Sequence, residues 1–258
     1  MSRARSLEGQ VALVTGAGAG LGAVLARTFA DHGAIVAAHG RSLDATAEIV
    51  ATIGEHGGQA FSVAGDLATG EGTAVAIVDR VQAQAGPVGI LVNNAADQRL
   101  APLVDPTLEL WREQFEVNLL AVAALTRQVC TRAPNRSAVA IVNISSVEGL
   151  APFPHHAGYA ASKAALLSLT AAAAGEFAPA RVNAIAAGLI DRPGLAEAWP
   201  AGFEWWGSVT PLGRPVASQE VAEAAVFVAS PAASGITGVT LPVDGGWSSS
   251  ARTPWRGA

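Results

Sequence analysis

The chain has 258 residues, half of them hydrophobic and only 14% charged, with a formal net charge of −5 at pH 7. So much apolar sequence excludes a disordered chain and is enough to build a large buried core. The acidic balance argues against nucleic acid or an anionic membrane as a partner, and a single cysteine, Cys130, excludes an internal disulfide and suits a reducing, cytoplasmic setting.

The opening MSRARSLEGQ carries two arginines with no apolar segment behind them, so no signal peptide is expected. No apolar run is long enough to span a bilayer without a charge or a Gly/Pro interruption. The first predicted strand is QVALVT (10–15), followed by a glycine-rich turn and a helix over 21–32 that Gly33 stops. AIVAAH (34–39) and AFSVAG (60–65) read as strands, with a helix at 43–55 between them and another at 72–85. GILVN (89–93) leads to a long helix over 107–132, for which Asp105-Pro106 looks like the start. Cys130 reads as a packed residue of that helix. AVAIVNIS (138–145), a helix over 157–178, RVNAIA (181–186), a helix over 218–229 and VTLPV (239–243) complete the series.

Several of these strands are apolar on both faces, the pattern of parallel strands covered by helices on each side. The alternation predicts an α/β fold, a Rossmann-type doubly wound parallel sheet of about seven strands in a single domain over 1–258. Ligands of such sheets bind beyond the carboxyl ends of the strands, where the strand order reverses.

The first strand runs directly into Thr15-Gly16-Ala17-Gly18-Ala19-Gly20-Leu21-Gly22. Gly16, Gly20, Leu21 and Gly22 form a turn that can approach a pyrophosphate, whose charge the helix N-terminus stabilises. A nucleotide-dependent methyltransferase could begin the same way. The second strand ends in His39-Gly40-Arg41-Ser42, with no carboxylate to hold a ribose 2′-hydroxyl. Arg41 can instead bind a 2′-phosphate in a bidentate manner, which favours NADP(H) and leaves NAD(H) as the second choice. His39 reads as a strand-end residue.

Further motifs follow in order: GDL at 65–67, NNAA at 93–96, Asn118 in FEVNLL, Ser146 in NISS, YAASK at 159–163, RVNAIAAG at 181–188 and LPVDGG at 241–246. With the glycine loop, and with Ser146 thirteen residues before Tyr159, the chain resembles the short-chain dehydrogenase/reductase family from about Leu7 to Trp247. The resemblance implies hydride transfer between a nicotinamide cofactor and a ketone or secondary alcohol. It makes Tyr159 the acid/base, with Ser146 holding the substrate oxygen. An ordinary tyrosine, with a pKa of about 10, is poorly matched to that task, and Lys163⁺ one turn away would favour the phenolate while binding the nicotinamide ribose. Asn118 resembles the residue that holds a water in a proton relay. Asp66 and Leu67 would lie at the adenine, Asn94 and Ala95 at the adenosine, and Gly188 and Ile190 against the cofactor beyond the sixth strand. The resemblance also implies a homotetramer or homodimer.

The sequence departs from the family pattern at four places. Ala96 stands where a glycine is usual, and alanine would be strained if the backbone there needs positive φ. Ala187 replaces a proline, Arg192 a threonine, and Ala19 a basic residue found in many NADP-preferring members. Residues 189–212, LIDRPGLAEAWPAGFEWWGSVTPL, form an excursion expected to cover the substrate as a lid, with Trp199, Phe203, Trp205 and Trp206 as an apolar wall. Glu148 lies near the same pocket, while His155 and His156 read as a solvated loop. No cluster has metal-ligand spacing, so no catalytic metal is expected. The leading reading is an NADP(H)-preferring reductase or dehydrogenase acting on a mainly apolar carbonyl or alcohol. The alternative is a non-catalytic NAD(P)-binding sensor or scaffold on the same fold.

Overall fold

Residues with apolar side chains on both faces of a strand need cover on both faces, and the architecture follows from that. The computed structural model describes residues 6–104 and 108–249, so the helix start expected at Asp105-Pro106 lies outside the described residues. The first half of the chain runs β1 (Val11–Thr15), α1 (Gly20–Asp31), β2 (Ile35–Gly40), α2 (Asp44–Glu55), β3 (Gln59–Ala64), α3 (Glu71–Ala85) and β4 (Ile90–Asn93). Then come α4 (Leu108–Phe115), α5 (Ala121–Arg132), β5 (Ala140–Ser146), α6 (Ala157–Glu176) and β6 (Arg181–Ala187). The excursion holds β7 (Ile190–Asp191), α7 (Leu195–Ala198) and α8 (Pro200–Val209), and β8 (Val216–Ala217), α9 (Ser218–Ala229) and β9 (Thr240–Val243) follow.

Seven strands form one sheet in the order β3-β2-β1-β4-β5-β6-β9, every pair parallel. Every residue of β1, β4 and β5 is buried. Because successive side chains of a strand point to opposite faces, Val14 and Leu13 enter different cores. Val14, Val36 and Ile185 pack with Leu25, Phe29, Val221 and Val226 of α1 and α9. Leu13, Leu91 and Val182 pack with Ile77, Val81, Leu125 and Val129 of α3 and α5, where Cys130 is also buried. The chain reverses its winding between β1 and β4, so the turns after these strands open together at one edge of the sheet.

Three features differ from the expectations. The segment 107–132 is interrupted by a π turn at Glu116–Leu120 with Asn118 buried inside it, so α4 and α5 replace a single helix. The excursion 189–212 is itself helical, and β7 near its start pairs parallel with β8 just beyond its end, Ile190 with Val216 and Asp191 with Ala217. His155, at φ 68°, is the only non-glycine residue with positive φ among the described residues, so the strain anticipated at Ala96 does not arise.

Candidate active site

The turn after β1 is held from the turn after β4. Asn94 Nδ2 donates to the carbonyls of Thr15 (2.9 Å) and Gly16 (3.2 Å), and the amides of Asn94 and Ala95 donate to Thr15 Oγ1 at 2.9 and 3.0 Å. Asn94 and Ala95, expected beside the adenosine, thus also clamp the glycine loop. Gly20 opens α1 at φ 53°, a conformation that favours glycine. At Gly22 a Cβ would sit 1.9 Å from the Gly16 carbonyl oxygen, so any side chain would push the loop apart. Ala19 precedes α1 and gives it no side-chain cap, which leaves first-turn amides for an anion. A dinucleotide pyrophosphate fits this combination of close backbone turn and uncapped helix.

At the adenosine end, His39 is buried in β2 with Nε2 3.0 Å from the Gly65 carbonyl oxygen. Burial lowers its pKa, so it joins the ends of β2 and β3 as a neutral imidazole, the strand-end role expected of it. Arg41 follows β2 and is exposed. Asp66 Oδ1 accepts from the Ala68 amide (3.0 Å) and caps a short turn in which Leu67 is buried. Gly188 continues β6 by donating to the Val243 carbonyl (2.9 Å), and Ile190 begins β7. These residues ring one mouth of the sheet.

The reactive side chains come from β5 and α6. Ser146 is the last residue of β5, and its Oγ accepts from the Glu148 amide at 3.1 Å. Tyr159 and Lys163 lie one turn apart on α6, with Lys163 Nζ 5.7 Å from the centre of the Tyr159 ring. Nζ donates to the Ile144 carbonyl of β5 (2.9 Å), and Ser145 Oγ donates to the Lys163 carbonyl (3.1 Å), so strand and helix are laced together at the site. Asn118 reaches the same place from the π turn: its Nδ2 donates to Ser162 Oγ (3.0 Å), which donates to the Tyr159 carbonyl (2.7 Å). Ser162 and Thr15 were not singled out in the sequence. Both depend on partners distant in sequence, Thr15 on the amides of Asn94 and Ala95 and Ser162 on the side chain of Asn118, which no local spacing reveals.

Burial pushes the Lys163 ammonium down to about 8. The Tyr159 phenol is pushed up, by burial first and then by the charge of Glu148, while a hydrogen bond with Ser146 pulls the other way. The depression expected from Lys163 is absent in the protein alone: burial dominates, and Lys163 is not among the groups that shift the phenol. Ser146 ends β5 and Tyr159 stands in the first turn of α6, so both hydroxyls can turn toward a single carbonyl oxygen.

The substrate side corrects two expectations. His156 does not stand in a solvated loop: its Nδ1 is 2.6 Å from Glu148 Oε2, and its side chain is 26% exposed. His155 is exposed as expected. The four aromatic residues of the excursion do not form one wall. Trp206 is buried and stacks on Trp247 with centroids 5.5 Å apart at 9°, whereas Trp199 and Trp205 are 50% and 44% exposed and Phe203 is half-buried. Trp199 lies against Gly202, where a Cβ would enter its ring. Trp205 meets Phe153 edge-on at 6.0 Å. Among the described residues no group of three His, Cys, Asp or Glu could hold a metal ion, and no helix is long and apolar enough to cross a membrane.

Residues 16–248 match a family model described as enoyl-(acyl carrier protein) reductase. The chain is 39% identical to 3beta-hydroxysteroid dehydrogenase 1 of Eggerthella lenta, over 93% of this chain and 94% of that protein. It is 36% identical to cis-4-hydroxycyclohexanecarboxylate dehydrogenase of Sinomonas cyclohexanicum, covering 92% and 96%. Among solved structures, a gluconate 5-dehydrogenase from Burkholderia cenocepacia, in complex with NADP and tartrate, superposes with a TM-score of 0.89 at 34% identity, over 96% of this chain and 98% of that one.

Proposed function

This chain belongs to the short-chain dehydrogenase/reductase family and is an oxidoreductase of alcohol and ketone groups that uses NAD(P), and on that premise we propose that Tyr159 is its acid/base and NADP(H) its preferred cofactor. The observation that carries the first part is the convergence at the end of β5: the buried phenol of Tyr159 beside Ser146, with the buried ammonium of Lys163 5.7 Å from its ring.

Bound NADP(H) would supply or accept the hydride. The Tyr159 phenol gives its proton to the carbonyl oxygen during reduction and takes it back during oxidation. Ser146 donates to the same oxygen, fixing it against Tyr159 and stabilising the charge that develops there. Lys163 presents its ammonium beneath the phenol and is free to hold a ribose hydroxyl, since only the Ile144 carbonyl is seen to accept from it. Asn118 positions Tyr159 through Ser162 and holds the relay water implied by the family resemblance.

Support for NADP(H) is the exposed Arg41 directly after β2, with no carboxylate beside it to repel a 2′-phosphate. The relatives named above act on ring alcohols and sugar acids by their names. For this chain the aromatic side chains of residues 189–212 favour a mainly apolar substrate beneath a lid, within the same domain as the cofactor site. A cytoplasmic homodimer or homotetramer belongs to the same proposal, supported by exposed Leu103, Leu108 and Leu120 near α4 and α5. The sensor alternative loses one support, since Ala96 is unstrained.

The deciding experiment follows NADPH and NADH consumption against a panel of cyclic and aromatic ketones, with Tyr159→Phe alongside. Turnover that prefers NADPH and falls about 100- to 10,000-fold in the variant is expected. Unchanged turnover in Tyr159→Phe would remove Tyr159 from the chemistry.

A further inference from the structure

Glu148 is an acidic residue placed beside the two hydroxyls of the reaction centre. Its backbone amide donates to Ser146 Oγ at 3.1 Å, and its charge acts on the Tyr159 phenol. The carboxylate is only 14% exposed. One oxygen, Oε2, is engaged by His156 Nδ1 at 2.6 Å, and among the described residues no hydrogen bond to Oε1 is seen. An aromatic cluster continues from His156: the Phe153 ring meets His156 edge-on at 6.1 Å and Trp205 edge-on at 6.0 Å, and lies tilted against Trp247 at 5.5 Å.

A carboxylate is an acceptor only, and one largely withdrawn from water needs donors more than a solvated one does. Burial raises the pKa of Glu148, and His156 pulls it back toward the charged form. His156 satisfies part of that need and fixes the direction of the carboxylate. A bound substrate displaces the remaining water from the pocket, so whatever the substrate places against Oε1 decides whether that oxygen is satisfied. An O–H would satisfy it through a charge-assisted hydrogen bond. A methylene would strand it, and a second carboxylate would be repelled.

Resting on the assignment of Ser146 and Tyr159 as the carbonyl site, we propose that Glu148, positioned by His156, determines specificity by accepting a hydrogen bond from a second hydroxyl of the substrate close to the reacting carbon. The preferred substrates are then uncharged hydroxyketones and diols on an apolar, ring-like skeleton. Ketones without the second hydroxyl and ketones bearing a carboxylate are disfavoured. Glu148 binds substrate in this scheme and His156 is a positioning residue.

The test compares the reduction of cyclohexanone, 2-hydroxycyclohexanone and 3-oxocyclohexanecarboxylate by the wild type, Glu148→Gln and Glu148→Leu. In the wild type, kcat/KM for the hydroxyketone should exceed that for cyclohexanone about tenfold, with the anion slowest. Glu148→Leu should bring that ratio close to one. Glu148→Gln, which keeps the shape and an acceptor but no charge, should keep part of the ratio and relieve the penalty on the anion. Equal ratios in the three proteins would overturn the proposal. So would a common loss on all three ketones, the mark of a side chain that only staples its loop to α6. The same ligands are also titrated by tryptophan fluorescence into NADP-loaded Tyr159→Phe, with and without Glu148→Gln. If no ketone is turned over at all, the assigned activity fails, and the binding ratios still decide the role of Glu148.

Discussion

Asn118 engages both backbone groups of Asp97: its Oδ1 accepts from the Asp97 amide at 2.7 Å and its Nδ2 donates to the Asp97 carbonyl at 3.0 Å. The side chain is fully buried and also holds Ser162, so the π turn, the segment after β4 and α6 meet on one amide. Asn118→Ala would leave these groups without partners, at a cost of about 2 kcal/mol. A thermal melt should show a loss of roughly 5 °C for a chain of this size. Turnover should fall as well, since Tyr159 is held through Ser162. An unshifted melting temperature would show that water replaces the amide.

How much of this was legible in the sequence depends on the range of the interactions involved. The seven strands of the main sheet were readable because β-branched runs apolar on both faces have few other uses, and each lies within two residues of its predicted ends, whereas the two-residue β7 and β8 were not foreseen. The π turn was not, because it exists to bring Asn118 to Asp97, and a contact 21 residues away leaves no mark on local periodicity. Helix α8 was hidden by its composition. Gly202 and Gly207 read as loop, yet Gly202 is the bare surface on which the Trp199 ring rests. Ser146, Tyr159 and Lys163 were legible through motif order alone. The Glu148–His156 pair has no helical spacing and forms only because the turn at His155 brings the two side chains together.

Arg41 offers a prediction about cofactor choice. Arg41→Ala should raise KM for NADPH about tenfold or more while changing KM for NADH much less, since only the former carries a 2′-phosphate. Steady-state kinetics with both cofactors checks it. An equal change for both would mean that Arg41 does not read the phosphate.

Lys163 predicts a stability signature. Its usual pKa of 10.5 falls to about 8 in the folded chain, through burial. Below pH 8 the ammonium is charged in both states, and the cost of burying it is fully present. Between about 8 and 10.5 the folded chain gives up its proton before the unfolded chain does, so that cost is relieved as pH rises. Lys163→Met should lose activity, and its melting temperature should compare best with the wild type near pH 7. The wild type should then gain on it steadily toward pH 10. A difference independent of pH would show that the lysine is not titrating in this window.

Glu148 makes a prediction about the pH profile. Its charge pushes the Tyr159 phenol up, second only to burial, and Ser146 pulls it down. Glu148→Gln removes the negative charge, so the phenol should ionise more readily. Alcohol oxidation requires the phenolate as base, and the rising limb of kcat/KM should therefore move to lower pH. His156 loses its charged partner in the same variant, so His156→Asn serves as the control for its own titration. A limb that moves upward, or stays in place, would contradict the coupling.

The pairing of β7 with β8 has a consequence for how this protein is put together. Ile190 and Asp191 lie beside Val216 and Ala217, so the start of the excursion is clipped to the strand just beyond its end, outside the main sheet. The register of β6 with β9 is set within the main sheet, while the segment between the clips packs through Trp206 on Val147, Ala151 and Trp247. Ser146, Tyr159 and Lys163 are carried by β5 and α6 and take no part in that segment. The chain therefore works as two parts joined at one seam: a reaction centre carried by β5 and α6, and a separately clipped segment that meets it where Trp206 settles against Val147, Ala151 and Trp247.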